Sequence, residues 1–284
     1  MLELVKDNRS GSRLEVVTFT FNEEKRIGNL LHYYGGRFDI VVLDGGSTDR
    51  TVAMALEMNA TVFKRLGDQV GESYFAYYTN ELTQSGICFY LLVDEFIEKS
   101  LLERIEEELQ EGVSGALCRK AEWIYGRRMR TLDHIEPRGF RRGSACYAAR
   151  LHSSLDFTPS STISQHIFEF HHLHIGSAQS SFGKLGLYSS IEIAQIRKSR
   201  WALWRFCRRY LLILISFPVL KVWREPGIGL PRALYFFFSQ LAIAAVSASI
   251  WIEQRFLMSS EELLAQYSRL YTDDPTDQPT QSSR

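Results

Sequence analysis

Acidic and small polar residues gather where three short apolar runs of this chain end. Residues 14–21 lead into Asn22 and Glu23. Asp39–Asp44 (DIVVLD) leads into Gly45, Gly46, Ser47, Thr48 and Asp49, and residues 87–93 lead into Asp94 and Glu95. A carboxylate at the exit of a buried strand can hold a hard cation against phosphate oxygens. A glycine-rich turn leaves backbone N–H groups exposed beside it. The plainer alternative is an ordinary strand–helix–strand unit whose Asp and Gly residues only shape turns.

The elements that would position these groups follow from the pattern. Residues 14–21 and Asp39–Asp44 are short, apolar and β-branched, as buried parallel strands are. Asn22 can cap the helix between them, Glu23 and Glu24 suit its positive end, and Asp49 or Thr48 can cap the next helix. Residues 60–65 read as a third strand, 73–84 as a helix with Phe75, Tyr78 and Leu82 in step, and 87–93 as a central strand. An acidic amphipathic helix over 100–111 follows, with Ser100 as its cap. This alternation predicts an α/β domain with a mostly parallel sheet covered on both faces. In such sheets ligands bind at the carboxyl ends of the strands, where Asn22, Glu23 and Asp44 fall.

The pair T-F-N-E-E and V-V-L-D-G-G-S-T-D-R-T resembles the opening of family 2 glycosyltransferases with the GT-A fold, which read T-x-N-E and then V-D-x-G-S-T-D-x-T. The resemblance implies a GT-A, Rossmann-like catalytic domain over residues 1–180, a nucleotide-sugar donor (a UDP-sugar above all) and a divalent cation, Mg²⁺ or Mn²⁺, at its diphosphate. It assigns the nucleotide to Thr20, Asn22, Glu23, Asp44, Gly46, Ser47 and Asp49. It assigns the cation to Asp94, in the place of the family's L-D-A-D-E, although this chain reads L-L-V-D-E with Leu92 where the first acid is expected. The family also carries Arg-Asn or Lys-Asn on the preceding helix, where Tyr74, Phe75, Tyr77 and Tyr78 stand here.

Further along, P-R-G-F-R-R-G (residues 137–143) is similar to the P-R-L-F-R-R-G of transferases that build lipopolysaccharide cores. Those relatives then carry V-H-E, whose acid is the expected general base. Here His152 matches and Ser153 replaces the acid, so Asp156 is the first candidate base, with Glu136 and His152 behind it. Of His166, His171, His172 and His174, most read as surface or core imidazoles. F-H-H-L-H-I-G-S resembles the family's L-H-Y-S segment, which pairs His174 with Asp94 at the cation.

Composition bounds the rest. The chain has 284 residues, 45% of them hydrophobic, and zero formal net charge, which argues against a general polyanion binder and predicts no nucleic-acid partner. Charge is uneven: residues 118–224 hold 18 Lys and Arg against 6 Asp and Glu. The cysteines, Cys88, Cys118, Cys146 and Cys207, are scattered and form no zinc-type pair, in keeping with a reducing cytoplasm. The start of the chain lacks an apolar signal core.

Residues 181–271 read as a helical region, and 272–284 as a disordered tail. Residues 197–223 interleave Trp201, Trp204, Phe206 and Tyr210 with Arg200, Arg205, Arg208, Arg209 and Lys221, as a helix in the headgroup layer of an anionic membrane does. Residues 232–255 hold an apolar run of about 20 residues, open to three readings: a span, an interfacial helix or hairpin, and an oligomer-forming helix. The expected protein is an inverting glycosyltransferase at the inner face of the cell membrane, acting on a glycan or lipid-linked acceptor, with a homo-oligomer as a further prospect. The alternatives are a nucleotide-sugar-binding protein without turnover and, a poorer match, a nucleotidyltransferase.

Overall fold

The computed structural model describes residues 1–67, 71–124, 126–130, 133–147 and 155–174, with seven helical residues between 238 and 249. The chain divides into two compact units, Met1–Gly176 with Pro218–Leu234 and Ser177–Phe217 with Tyr235–Arg284. The expected helical region over 181–271 and the tail over 272–284 lie almost wholly outside the described residues. No helix among the described residues is long and apolar enough to cross a membrane.

The first unit is mixed α/β, built on a ten-stranded sheet. Its parallel centre is β2 (Glu15–Thr20), β3 (Asp39–Asp44), β4 (Thr61–Arg65) and β5 (Ile87–Tyr90), in the order β4-β3-β2-β5. Every residue of β3 is buried, as a strand covered on both faces must be. Between these strands run α1 (Ile27–Tyr34), α2 (Thr51–Glu57) and α3 (Gly71–Tyr77), the last continuing into a π-helical turn, Tyr78–Leu82. β6 (Glu95–Phe96) and α4 (Lys99–Gln110) follow, and Leu102, Ile105 and Leu109 of α4 are buried against the sheet.

The sheet then continues beyond β5. β7 (Gly115–Ile124), β9 (His134–Arg141) and β12 (Ile163–His174) extend it in the order β5-β9-β7-β12-β6, with β8 (Arg127–Arg128) paired to β7. β9 runs antiparallel to both neighbours, so β7 and β12 share the direction of β5. A small hairpin sheet joins β10 (Ala145–Tyr147) to β11 (Leu155–Phe157).

Several expectations are corrected. An unanticipated strand, β1 (Leu2–Lys6), covers the edge of β4 in antiparallel pairing. The helix expected over 73–84 becomes α3 and the π turn. Tyr74, Phe75 and Tyr78 are core, with the Tyr78 hydroxyl donating to buried Glu15. β5 stops at Tyr90 rather than Val93, because residues 92–95 turn: Glu95 N–H donates to the Leu92 carbonyl, and Leu92 N–H to Glu95 Oε2. Of the expected helix caps, Asp49 bonds a helix start, its Oδ1 accepting from Thr51 N–H at 2.9 Å, while Asn22 and Ser100 do not. Arg26, Arg50 and Glu98 stand at the helix starts with no capping side-chain bond.

Candidate active site

At the carboxyl ends of β2 and β3 two loops lock together. Asp44 is 3% exposed and has both oxygens doubly engaged. Oδ1 accepts from Thr20 Oγ1 (2.8 Å) and Ser47 Oγ (2.5 Å), and Oδ2 from the N–H groups of Gly46 and Ser47 (both 2.8 Å). Gly46 sits at φ +93°, which closes this turn without strain. Asn22, at φ +57°, reaches across instead of capping α1. Its N–H donates to Ser47 Oγ, and its Oδ1 accepts from Thr48 N–H. Asp49 accepts from Glu24 N–H and Thr51 N–H, and Thr51 Oγ1 in turn accepts from Glu23 N–H. Thr20, Asn22, Glu23, Asp44, Gly46, Ser47 and Asp49 therefore come together as expected. Asp44 acts as the builder of the turn, since a carboxylate has about four acceptor positions and all are filled.

Arg26 joins this cradle to Asp94. Its Nε and Nη2 donate to Glu23 (2.7 and 2.6 Å), and Nη1 lies 3.4 Å from Asp94 Oδ2. On the other side, His172 Nε2 lies 3.7 Å from the same Asp94 oxygen, and Nδ1 is 2.6 Å from Glu122 Oε2. Lys120 completes the row, 3.3 Å from Glu122. Register explains the meeting: Glu122 faces His172 across β7 and β12, and Leu173 N–H donates to the Asp94 carbonyl. Burial pushes the Asp94 carboxyl up, but His172 and Arg26 outweigh it and hold it below the usual carboxylate range. Burial likewise pushes His172 down, while Asp94 and Glu122 raise it to about 9.

This arrangement suits a divalent cation shared with phosphate oxygens. Asp94 offers a carboxylate, and His172, on releasing the proton that Asp94 and Glu122 hold on it, would offer an imidazole beside it, with Glu122 on the far ring nitrogen, as partners that orient metal-bound histidines do. Leu92, in place of the missing acid, packs against the core. Among the described residues no three His, Cys, Asp or Glu side chains surround one point. His174 ends β12 opposite Ile124, and its side chain lies outside what is described.

Behind Asp94 the turn is clamped. Arg138, 3% exposed, donates from Nη1 and Nη2 to the two oxygens of Glu95 (both 2.8 Å) and from Nη1 to the Tyr90 carbonyl (3.2 Å). Its guanidinium lies between the rings of Tyr90 and Phe170, at 4.5 and 4.2 Å from their centroids. Glu136 is bound to the same guanidinium. Burial raises its carboxyl, and Arg138 brings it back below the ordinary range, which makes it a weak base.

Asp156 is not brought to Asp94. It is an exposed residue of the small hairpin, whose Phe157 ring lies on Gly115 at the start of β7. Asp94 sits beside Glu122, seven residues along the same strand, roughly 20 Å away. His152 lies outside the described residues. Sequence reasoning missed His172, Glu122, Arg26 and the Glu95–Arg138 pair. The doubled histidine of F-H-H-L-H was the available signal, since alternate residues of one strand face the same side.

Residues 15–153 match the family model described as Glycosyl transferase family 2, a little under half of the chain. No curated protein matches. Among solved structures, 107 chains match. They include several complexes of glucosyl-3-phosphoglycerate synthase from Mycobacterium tuberculosis. The complex with Mn²⁺, UDP and glucosyl-3-phosphoglycerate is 19% identical, over 41% of this chain and 46% of that one, with a TM-score of 0.33. The complex with Mn²⁺ and UDP-glucose is 21% identical over 41% and 45%, TM-score 0.33. The complex with Mn²⁺, UDP-glucose and glycerol 3-phosphate is 20% identical over 44% and 48%, TM-score 0.33. The chain covers less than half the length of each. Residues 15–153 are thus similar to family 2 glycosyltransferases, and the geometry above lies at the ends of strands within that span or paired to it.

Proposed function

We propose that this chain is an inverting glycosyltransferase that moves a sugar from a nucleotide-sugar, a UDP-sugar in the first place, to an acceptor hydroxyl. One observation carries the reading: Arg26 ties the Asn22–Asp44 cradle to the Asp94–His172 pair at one edge of the sheet. The cradle offers Asn22, Thr48 and the turn backbone to the nucleotide. Asp94 and His172, joined by His174 on the strength of its motif, would hold Mg²⁺ or Mn²⁺. When bound, that cation would neutralise charge on the diphosphate leaving group. Glu122 fixes the ring of His172, and Arg138 fixes the turn that carries Asp94. With Asp156 placed elsewhere, His152 is the base candidate that the motif leaves.

The likeness of residues 137–143 to lipopolysaccharide-core transferases supports a surface-glycan or lipid-linked acceptor. The aromatic and basic residues of 197–223 support work at the cytoplasmic face of a membrane, and the apolar run in 232–255 is a candidate for self-association. A panel of UDP-, GDP- and ADP-sugars with Mn²⁺, read by mass spectrometry for hydrolysis and transfer, tests the function. Turnover of one donor is expected. Binding without turnover over a broad acceptor set would favour a nucleotide-sugar-binding protein, for which Leu92 and Ser153 in place of acids are the support.

A further inference from the structure

Arg65 ends β4, and its side chain crosses the carboxyl edge of β3 to reach β2. Nη2 donates to the Thr20 carbonyl at 3.2 Å. The crossing is possible because residue 45 is glycine: a Cβ there would lie 2.1 Å from Nη2. The guanidinium stands near the rings of Phe19 and Tyr74, at 5.5 and 5.9 Å from their centroids. Among the described residues this is its one hydrogen bond, and no carboxylate lies within ion-pair distance. Nε is buried without a partner. Burial accordingly pushes Arg65 below the usual arginine range.

Arg65 is half-buried, and an enclosed guanidinium nitrogen without a partner is costly, so native proteins keep such a group where something else completes it. Position indicates what that is. In the order β4-β3-β2-β5, the tip of β4 lies three strand spacings, roughly 14 Å, from the tip of β5 that leads to Asp94. A donor with its diphosphate at Asp94 would lie along this edge with its nucleoside end toward Arg65. Asp44, the other polar group at this end, has no acceptor position left. A guanidinium only donates, so it fits a base edge that presents a carbonyl oxygen, as O4 of uracil and O6 of guanine do. The amino group of adenine puts a donor where that carbonyl would be.

We propose that Arg65 reads the base of the donor nucleotide, selecting a carbonyl-bearing base over adenine. This rests on the nucleotide-sugar reading above and adds the residue that sets its base preference. Calorimetric titration of the full chain with UDP, GDP and ADP, in the presence of Mn²⁺, tests it against Arg65→Gln and Arg65→Lys. The wild type should bind UDP or GDP about tenfold or more tighter than ADP. Arg65→Gln should lose about tenfold on the preferred nucleotide, with ADP changed less than about twofold. Arg65→Lys keeps the charge without the fork and should also lose preference, so it carries the test if the Gln variant does not fold. Equal losses for all three nucleotides, or unchanged UDP and GDP binding in both variants, would overturn the proposal while leaving the functional reading intact. A wild type that binds none of the three would overturn both.

Discussion

His172 Nε2 lies 3.7 Å from Asp94 Oδ2, while its Nδ1 is held 2.6 Å from Glu122. One ring therefore joins two carboxylates from different parts of the chain, and its orientation is fixed by the second. If Asp94 and His172 share a cation, Glu122 supports it from outside. Glu122→Gln should then weaken Mn²⁺ affinity about 10–100-fold in the presence of UDP, and His172→Ala at least as much. Mn²⁺ titration by electron paramagnetic resonance checks this. Wild-type affinity in His172→Ala would remove the ring from the site.

Arg138 and Glu95 form an ion pair that is almost wholly buried, with side chains 3% and 0% exposed. Replacing Arg138 with Met leaves the Glu95 carboxylate without its partner, and such losses destabilise by about 3–5 kcal/mol. Urea unfolding should show this loss. Arg138→Met with Glu95→Leu should recover part of it, because the fully buried Glu95 charge goes with its partner while the less buried Glu136 loses its bond to Arg138. Only the double variant separates clamp from charge: it should remain folded, yet bind nucleotide less well because the Asp94 turn is no longer held.

Asp39 opens β3 and collects the N–H groups of Ser10, Gly11 and Ser12 with the Ser10 hydroxyl. Burial pushes its carboxyl up, but these donors outweigh burial and lower it below the ordinary value. A depressed folded value means stability that is full above the ordinary aspartate pKa, about 3.9, and is lost as pH falls through the folded one. Asp39→Asn should therefore cost about 1–3 kcal/mol at neutral pH. The gap between variant and wild type should close as the pH is taken below about 4. Thermal unfolding across this range checks it, and a gap that widens in acid would contradict the assignment.

The parallel centre of the fold was legible because burial on both faces leaves unbroken runs such as DIVVLD, whose end at Asp44 matched the structure to the residue. Helix starts were not legible. Asn22, Asp49 and Ser100 are good caps by type, yet Asn22 is drawn into cross-loop bonds, Ser100 lies inside α4, and Asp49 bonds Glu24 across the loop as well as the start of α2. The site was half legible. Asp94 and the cradle stand at strand ends close in sequence to their runs, whereas His172, Glu122 and Arg138 reach it by pairing of distant strands. Glu122 and His172 meet through the parallel pairing of β7 with β12, while β9, antiparallel to β5 and β7, carries Arg138, and nothing local in residues 134–141 announces that placement. Asp156 was misplaced for the same reason: its nearness to His152 in sequence says nothing of which end of β7 its hairpin packs on.

The central claim is that the cradle and Asp94 hold one nucleotide between them, with a cation at the Asp94 end. The most direct measurement is UDP binding by calorimetry with and without Mn²⁺, in the wild type and in Asp94→Asn. The account predicts that Mn²⁺ strengthens UDP binding to the wild type and that Asp94→Asn abolishes this gain, leaving only a weak, cation-independent affinity from the cradle. An Asp94→Asn protein that binds UDP with the full Mn²⁺-dependent gain would contradict it.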